Sequence, residues 1–119
     1  GLLADAGVEI AFATFGSSDS RTLPYEAANS VSWGLAKDDA FEAITLGPAR
    51  ILGVADRLGS LEVGKVGNVI VTDGDPLEIT TNIEHVFVRG VPSDLDNKHN
   101  RLWEEYKNRP LKAKAVTTT

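Results

Sequence analysis

The chain has 119 residues, 42% of them hydrophobic and 24% charged, with a formal net charge of −5 and no cysteine. That length holds one domain; the absence of cysteine excludes disulfides and thiolate chemistry, and the acidic balance argues against a nucleic-acid surface. No apolar run approaches the roughly 18 to 20 residues of a membrane helix, so the expectation is a soluble chain without a membrane partner. The compartment stays open, with the cytoplasm slightly favoured.

Residues 1–7 read as the end of a helix running into a strand, a beginning in mid-fold. Val8, Ile10 and Phe12 then alternate with Glu9, Ala11 and Ala13, the period of a strand, and the small second set suits one covered on both faces. Residues 14–22 are rich in Gly and Ser and form a loop. Pro24 fits a first helical turn, and Ala27, Val31 and Leu35 make one buried stripe that closes near Gly34. A second helix is predicted over 37–46, with Asp38 and Asp39 at its positive end and Ala40, Phe41, Ala43 and Ile44 on one face. Gly47 and Pro48 stop it, and a short helix through Ala49, Ile51 and Leu52 ends at Gly53.

After Asp56 the texture changes to short strands. Residues 59–65 are turn-rich, residues 68–73 read as a strand with Val69 and Val71 inward, and residues 74–76 form a tight turn. A further strand over 83–89 ends at Gly90, and Leu95, His99, Leu102, Trp103 and Tyr106 recur at helical spacing in a closing amphipathic helix. From Lys98 onward there are six Lys or Arg against two Glu, read as a solvated helix and basic tail. The parts are therefore 1–56, a βα unit of a parallel barrel or sheet; 57–97, part of a small β-domain; and 98–119, the terminal helix and tail.

Few residues offer chemistry. His85 alternates into a strand and His99 falls on the helix stripe, so both read as packing or surface residues. GSLEVGK at 59–65 lacks the Ser or Thr of a phosphate loop and leads into a strand, which makes it a turn. Trp103 and Tyr106 read as core anchors or, if the pair is exposed, as an interface.

Four motifs carry a resemblance: DAFEAITLGPARILGV at 39–54, DRLGSLEVGK at 56–65, VIVTDGDPL at 69–77 and VFVRG at 86–90. Together the sequence resembles the C-terminal part of the amidohydrolase superfamily, in its imidazolonepropionase-like branch of metal-dependent hydrolases. The resemblance implies an α/β fragment: the last βα unit of a (β/α)8 amidohydrolase barrel, with residues 7–13 as the eighth strand and 23–53 as the helices after it, then over 60–92 the C-terminal part of a small β-sandwich, and a terminal helix. It implies a hydrolase of non-peptide C–N bonds whose divalent metal, zinc first among the choices, is held by residues this chain does not contain. No cofactor is expected for this chain itself.

The resemblance also implies a carboxylate at the end of the eighth strand that binds metal and takes a proton from the attacking water. Ala13, Thr14 and Phe15 occupy that place, and phenylalanine does neither. Asp19 is the nearest carboxylate, either a displaced base or a member of a hydrogen-bonded Ser-Ser-Asp turn at 17–19. Arg21 is the candidate for a substrate carboxylate. Two functions follow: a fragment of an amidohydrolase, inactive as this chain alone, or a non-catalytic module that pairs by its strand edges with itself or a separate chain. Either way the expected partner is a second copy or the missing barrel half, because a barrel strand needs neighbours on both sides.

Overall fold

The computed structural model describes residues 1–17 and 19–109; Ser18 and residues 110–119 of the expected basic tail lie outside it. The helices are α1 (Leu2–Asp5), α2 (Leu23–Ser32), α3 (Lys37–Glu42), α4 (Leu46–Ile51) and α5 (Lys98–Tyr106), and the strands are β1 (Val69–Thr72), β2 (Ile83–Val88) and β3 (Val91–Ser93). A 3-10 turn, Ser20–Thr22, leads directly into α2.

α2 ends as its sequence dictates. Gly34 takes a φ of +90°, which lets its amide reach Val31 O at 3.0 Å and the Leu35 amide reach Ser30 O at 3.1 Å, satisfying two of the carbonyls a helix end leaves open. The reversal sends Leu35 into the core. The next break comes earlier than expected. The helix predicted over 37–46 stops at Glu42, and α4 starts at Leu46, so Gly47 and Pro48 lie inside its first turn instead of between two helices. There the missing proline N–H removes no helical bond. Thr45 makes the corner, leaving helical backbone angles while its hydroxyl donates to Phe41 O at 2.8 Å.

Gly47 is buried at that corner because nothing larger fits. A Cβ there would stand 2.9 Å from Ile10 O and 3.0 Å from Glu42 O. The corner thus packs straight onto residues 8–14, and the Phe12 amide donates to Ala43 O at 3.0 Å. This segment is not the ladder-bonded strand expected over 7–13. A strand exists by virtue of a neighbour about 4.8 Å away, and among the described residues no other strand runs beside it.

The sheet is antiparallel in the order β1-β2-β3. Val69 faces Phe87, Ile70 faces Val86 and Val71 faces His85, with a bulge before Thr72 meets Ile83. β3 was not foreseen. It pairs back on β2 through a two-residue turn in which Arg89 and Gly90 both have positive φ, +53° and +77°, the turn whose twist matches flanking strands. The Asn68 carboxamide oxygen accepts from the Arg89 amide at 2.9 Å, and Gly67 O accepts from the Gly90 amide at 2.8 Å. The inward Val69 and Val71 expected from alternation are only partly realised: Val71 is 38% exposed and Ile70 is 50% exposed, because among the described residues no second layer covers this sheet.

The core joins the two halves. Ala27, Leu35 and Ala40 from the helical part meet Leu77 from the loop between β1 and β2, with Ile10, Phe12, Val31 and Ile44 packed around them. Asp75 shapes that loop by accepting from the Leu77 amide at 3.0 Å, and its other carboxylate oxygen pairs with the Lys37 ammonium.

Candidate functional site

The loop after residue 13 is built by its own short polar side chains. Thr14 Oγ1 donates to Gly16 O at 3.2 Å, the Asp19 amide donates to the same oxygen at 3.2 Å, and Ser20 Oγ donates to Ser17 O at 3.0 Å. Asp19 O in turn accepts from both the amide and the hydroxyl of Thr22, at 2.9 and 2.7 Å. These are the local bonds that Ser, Thr and Asp favour in turns, and they carry the chain into α2.

Phe15, at the position where a carboxylate was implied, turns outward. Its φ is +53° and the residue is 99% exposed. A bulky residue in the left-handed region is an outlier, with a cost of about 1–3 kcal/mol when the surroundings enforce it. Gly16 follows, with the Asp19 carboxylate against it: a Cβ at residue 16 would stand 2.8 Å from Asp19 Oδ2, a side-chain end that can turn aside.

Asp19 lines a hollow of about 430 Å³ together with Phe12, Ala13, Thr14, Thr22 and Glu26. The structure thus brings Asp19 to the end of the 8–14 segment: its main chain makes the hydrogen-bonded turn, and the residue lies in the lining of the hollow. Arg21 is not in that lining. Its Nη1 sits 3.0 Å from His99 Nε2, joining the loop to α5 across 78 positions of sequence. Glu26 and Thr22 were missed. The signal was present, since they stand four residues apart at the head of a helix and so share a face.

The other histidine, His85, is exposed on β2 with its ring 6.4 Å from that of Phe87. A second hollow, of about 230 Å³, lies at the far end of the 8–14 segment and contains Glu9, Asp39, Glu42 and Arg50. Arg50 pairs with Glu42 and lies 3.4 Å from Glu9, which makes this cluster a fastening between the segment and the corner. In the 59–65 turn, Lys65 lies 2.9 Å from Glu62, in keeping with a structural turn.

The donor set around residues 13–19 does not fit a divalent metal. Such a site takes about three or four protein ligands, whereas Phe15 offers none, and among the described residues no group of three or more His, Asp or Glu is placed to hold an ion. Among the described residues no helix is long and apolar enough to cross a membrane.

Comparison with known proteins places these features. Residues 1–94 match the profile of the Amidohydrolase family. An imidazolonepropionase from Bacteroides fragilis is 38% identical over 95 residues, covering 72% of this chain and 23% of the relative. The amidohydrolase tasK from Hapsidospora irregularis is 34% identical over 81 residues, covering 64% of this chain and 8% of the relative. Among solved structures, an amidohydrolase from Thermotoga maritima superposes with a TM-score of 0.71 at 32% identity, over 76% of this chain and 24% of that one. The chain therefore spans about a quarter of the length of the imidazolonepropionase and of the solved amidohydrolase.

Proposed function

This chain belongs to the amidohydrolase family, and from that premise we propose that it supplies the C-terminal share of a hydrolase of non-peptide C–N bonds and is not catalytic by itself. The match over residues 1–94 carries the reading. In it, residues 7–13 are the last strand of a barrel, α2 to α4 cover that strand, and β1 to β3 are part of a sandwich completed by other strands. Three observations support this assignment. The 8–14 segment has its amide bond to the helical corner but no strand beside it among the described residues. The sheet leaves Ile70 and Val71 substantially exposed, and Leu2, Leu3, Trp33, Leu61 and Ile79 stand more than half exposed, an apolar surface of the kind that marks contact with further protein.

The reaction class is hydrolysis of a cyclic or acyclic amide or amidine: the water oxygen bonds to the carbon, the C–N bond breaks, and the leaving nitrogen takes a proton from the water. The metal chemistry is assigned to residues outside this chain, because the donor set at 13–19 does not fit it. Within this share of the site, Asp19 and Glu26 accept hydrogen bonds from substrate N–H groups at the hollow, and Arg21 takes a substrate carboxylate.

A screen of amides, lactams and amidines against this chain and against a longer gene product containing it tests the proposal. Turnover confined to the longer product is expected; turnover by the 119 residues alone overturns it. The open edge of β1 favours one second reading, a module that adds its edge to another chain, and that reading stands if neither product turns over any substrate.

A further inference from the structure

The contact between Arg21 and His99 has a chemical polarity. A guanidinium carries only donors, so at 3.0 Å the imidazole Nε2 must be the acceptor. That requires a neutral ring with its proton on Nδ1. Both partners are held from behind. Arg21 rides on the 3-10 turn that Thr22 fastens to Asp19. His99 lies in the first turn of α5, where the Asn97 side chain accepts from the His99 and Asn100 amides at 2.9 and 3.1 Å and Arg101 pairs with Asp96 at 2.8 Å. α5 lies beyond residues 1–94, the part that matches the family, so the tie joins the terminal helix to the loop that bears the candidate site.

We propose that His99 is a positioning residue of that loop: as a neutral imidazole protonated on Nδ1 it accepts from Arg21, fixing the guanidinium and α5 together beside the hollow lined by Asp19 and Thr22. Among the described residues one of the guanidinium's donors is used in this way, which leaves others for a planar anion and makes a carboxylate-bearing substrate the class this edge selects. This last step rests on the proposed function; the tie itself does not.

Diethyl pyrocarbonate, which acylates unprotonated imidazole nitrogens, gives a test that uses His85 as an internal reference, with wild type and variant compared in the same assembly state. In the wild-type chain His99 should react more slowly than His85, because its one lone-pair nitrogen is engaged. Arg21→Met should speed His99 several-fold and leave His85 unchanged. An unchanged His99 rate in Arg21→Met overturns the proposal.

Should Arg21→Met unfold, with both histidines accelerated, hydrogen exchange of the α5 amides decides through a second pair of variants. His99→Gln retains an acceptor at the end of its side chain and should keep wild-type protection, whereas His99→Phe should lose it. Equal protection in the two overturns the tie. In the longer product, His99→Phe should raise KM for carboxylate-bearing substrates with kcat unchanged. If labelling behaves as stated but no product hydrolyses a C–N bond, the tie stands and the proposed function falls.

Discussion

The Lys37 ammonium, at the first residue of α3, pairs with the Asp75 carboxylate in the loop that leaves β1. The pair is the polar counterpart of Leu77, two residues further on, which is only 5% exposed among Ala27, Leu35 and Ala40. One short loop therefore fastens the sheet to the helices with a charge outside and an apolar plug inside.

Leu77→Ala should cost about 2–5 kcal/mol, the range for removing a buried leucine and leaving a cavity. Urea unfolding followed by far-ultraviolet circular dichroism measures it. Val71→Asp, by contrast, should cost far less in this chain, because Val71 already meets solvent.

Acid should loosen the same junction. The Lys37 ammonium hydrogen-bonded to Asp75, with the Leu77 amide behind it, holds that carboxyl below its usual 3.8, and the Asn82 side chain and amide hold Asp73 below the same value. Both folded values are depressed, so the stability they contribute is present above about pH 4 and is lost as pH falls through the folded values. Lys37 is raised above its usual 10.5, chiefly by its hydrogen bond to Asp75, so its share persists through neutrality and is lost only in strong alkali. Melting temperature recorded between pH 2 and pH 5 should show this acid fall, and Asp73→Asn should make it shallower.

Gly47→Ala should destabilise by about 1–3 kcal/mol, the range for overpacking. Both atoms that its Cβ would meet, Ile10 O and Glu42 O, belong to main chain and have no rotamer by which to yield. Denaturant midpoints of the two proteins give the comparison.

Arg89→Asn should stabilise by about 0.5–1 kcal/mol, since asparagine tolerates positive φ better than arginine in a two-residue hairpin turn. The Asn68 bond to the residue 89 amide is main chain on one side and survives the change. A rise in melting temperature with an unaltered circular dichroism spectrum is the expected record.

Light scattering at micromolar concentration should find the chain associated, because its uncovered β1 edge and exposed apolar side chains favour contact with another copy. A monomer that melts cooperatively would count against the composite architecture proposed above.

The helices were legible because their signals are local. Pro24, Gly34 and the i, i+4 stripe of Ala27, Val31 and Leu35 act within a few residues of themselves, and the observed α2 and its reversal follow them. The break at Thr45 was not legible, since it depends on Ile10 approaching Gly47 from 37 positions away. β3 was hidden by Pro92, which reads against a strand and is tolerated here on an edge. At the site, Phe15 and Asp19 were readable as residue types in a place, whereas the turning of Arg21 to His99 depends on how α5 returns to the loop, which no short-range pattern encodes.

The helical half closes over Ala27, Ala40, Ala43 and Ala49, with no large side chain wholly buried among the described residues. Such an interior has little volume left to lose, so sequence drift there is constrained in one direction. Changes to glycine or serine would erode it gradually, while any gain of a methylene must displace a packed neighbour. A saturation library should therefore show a ceiling on side-chain size at these four positions, and relatives that carry a bulkier residue at one of them should carry a compensating reduction on the facing segment.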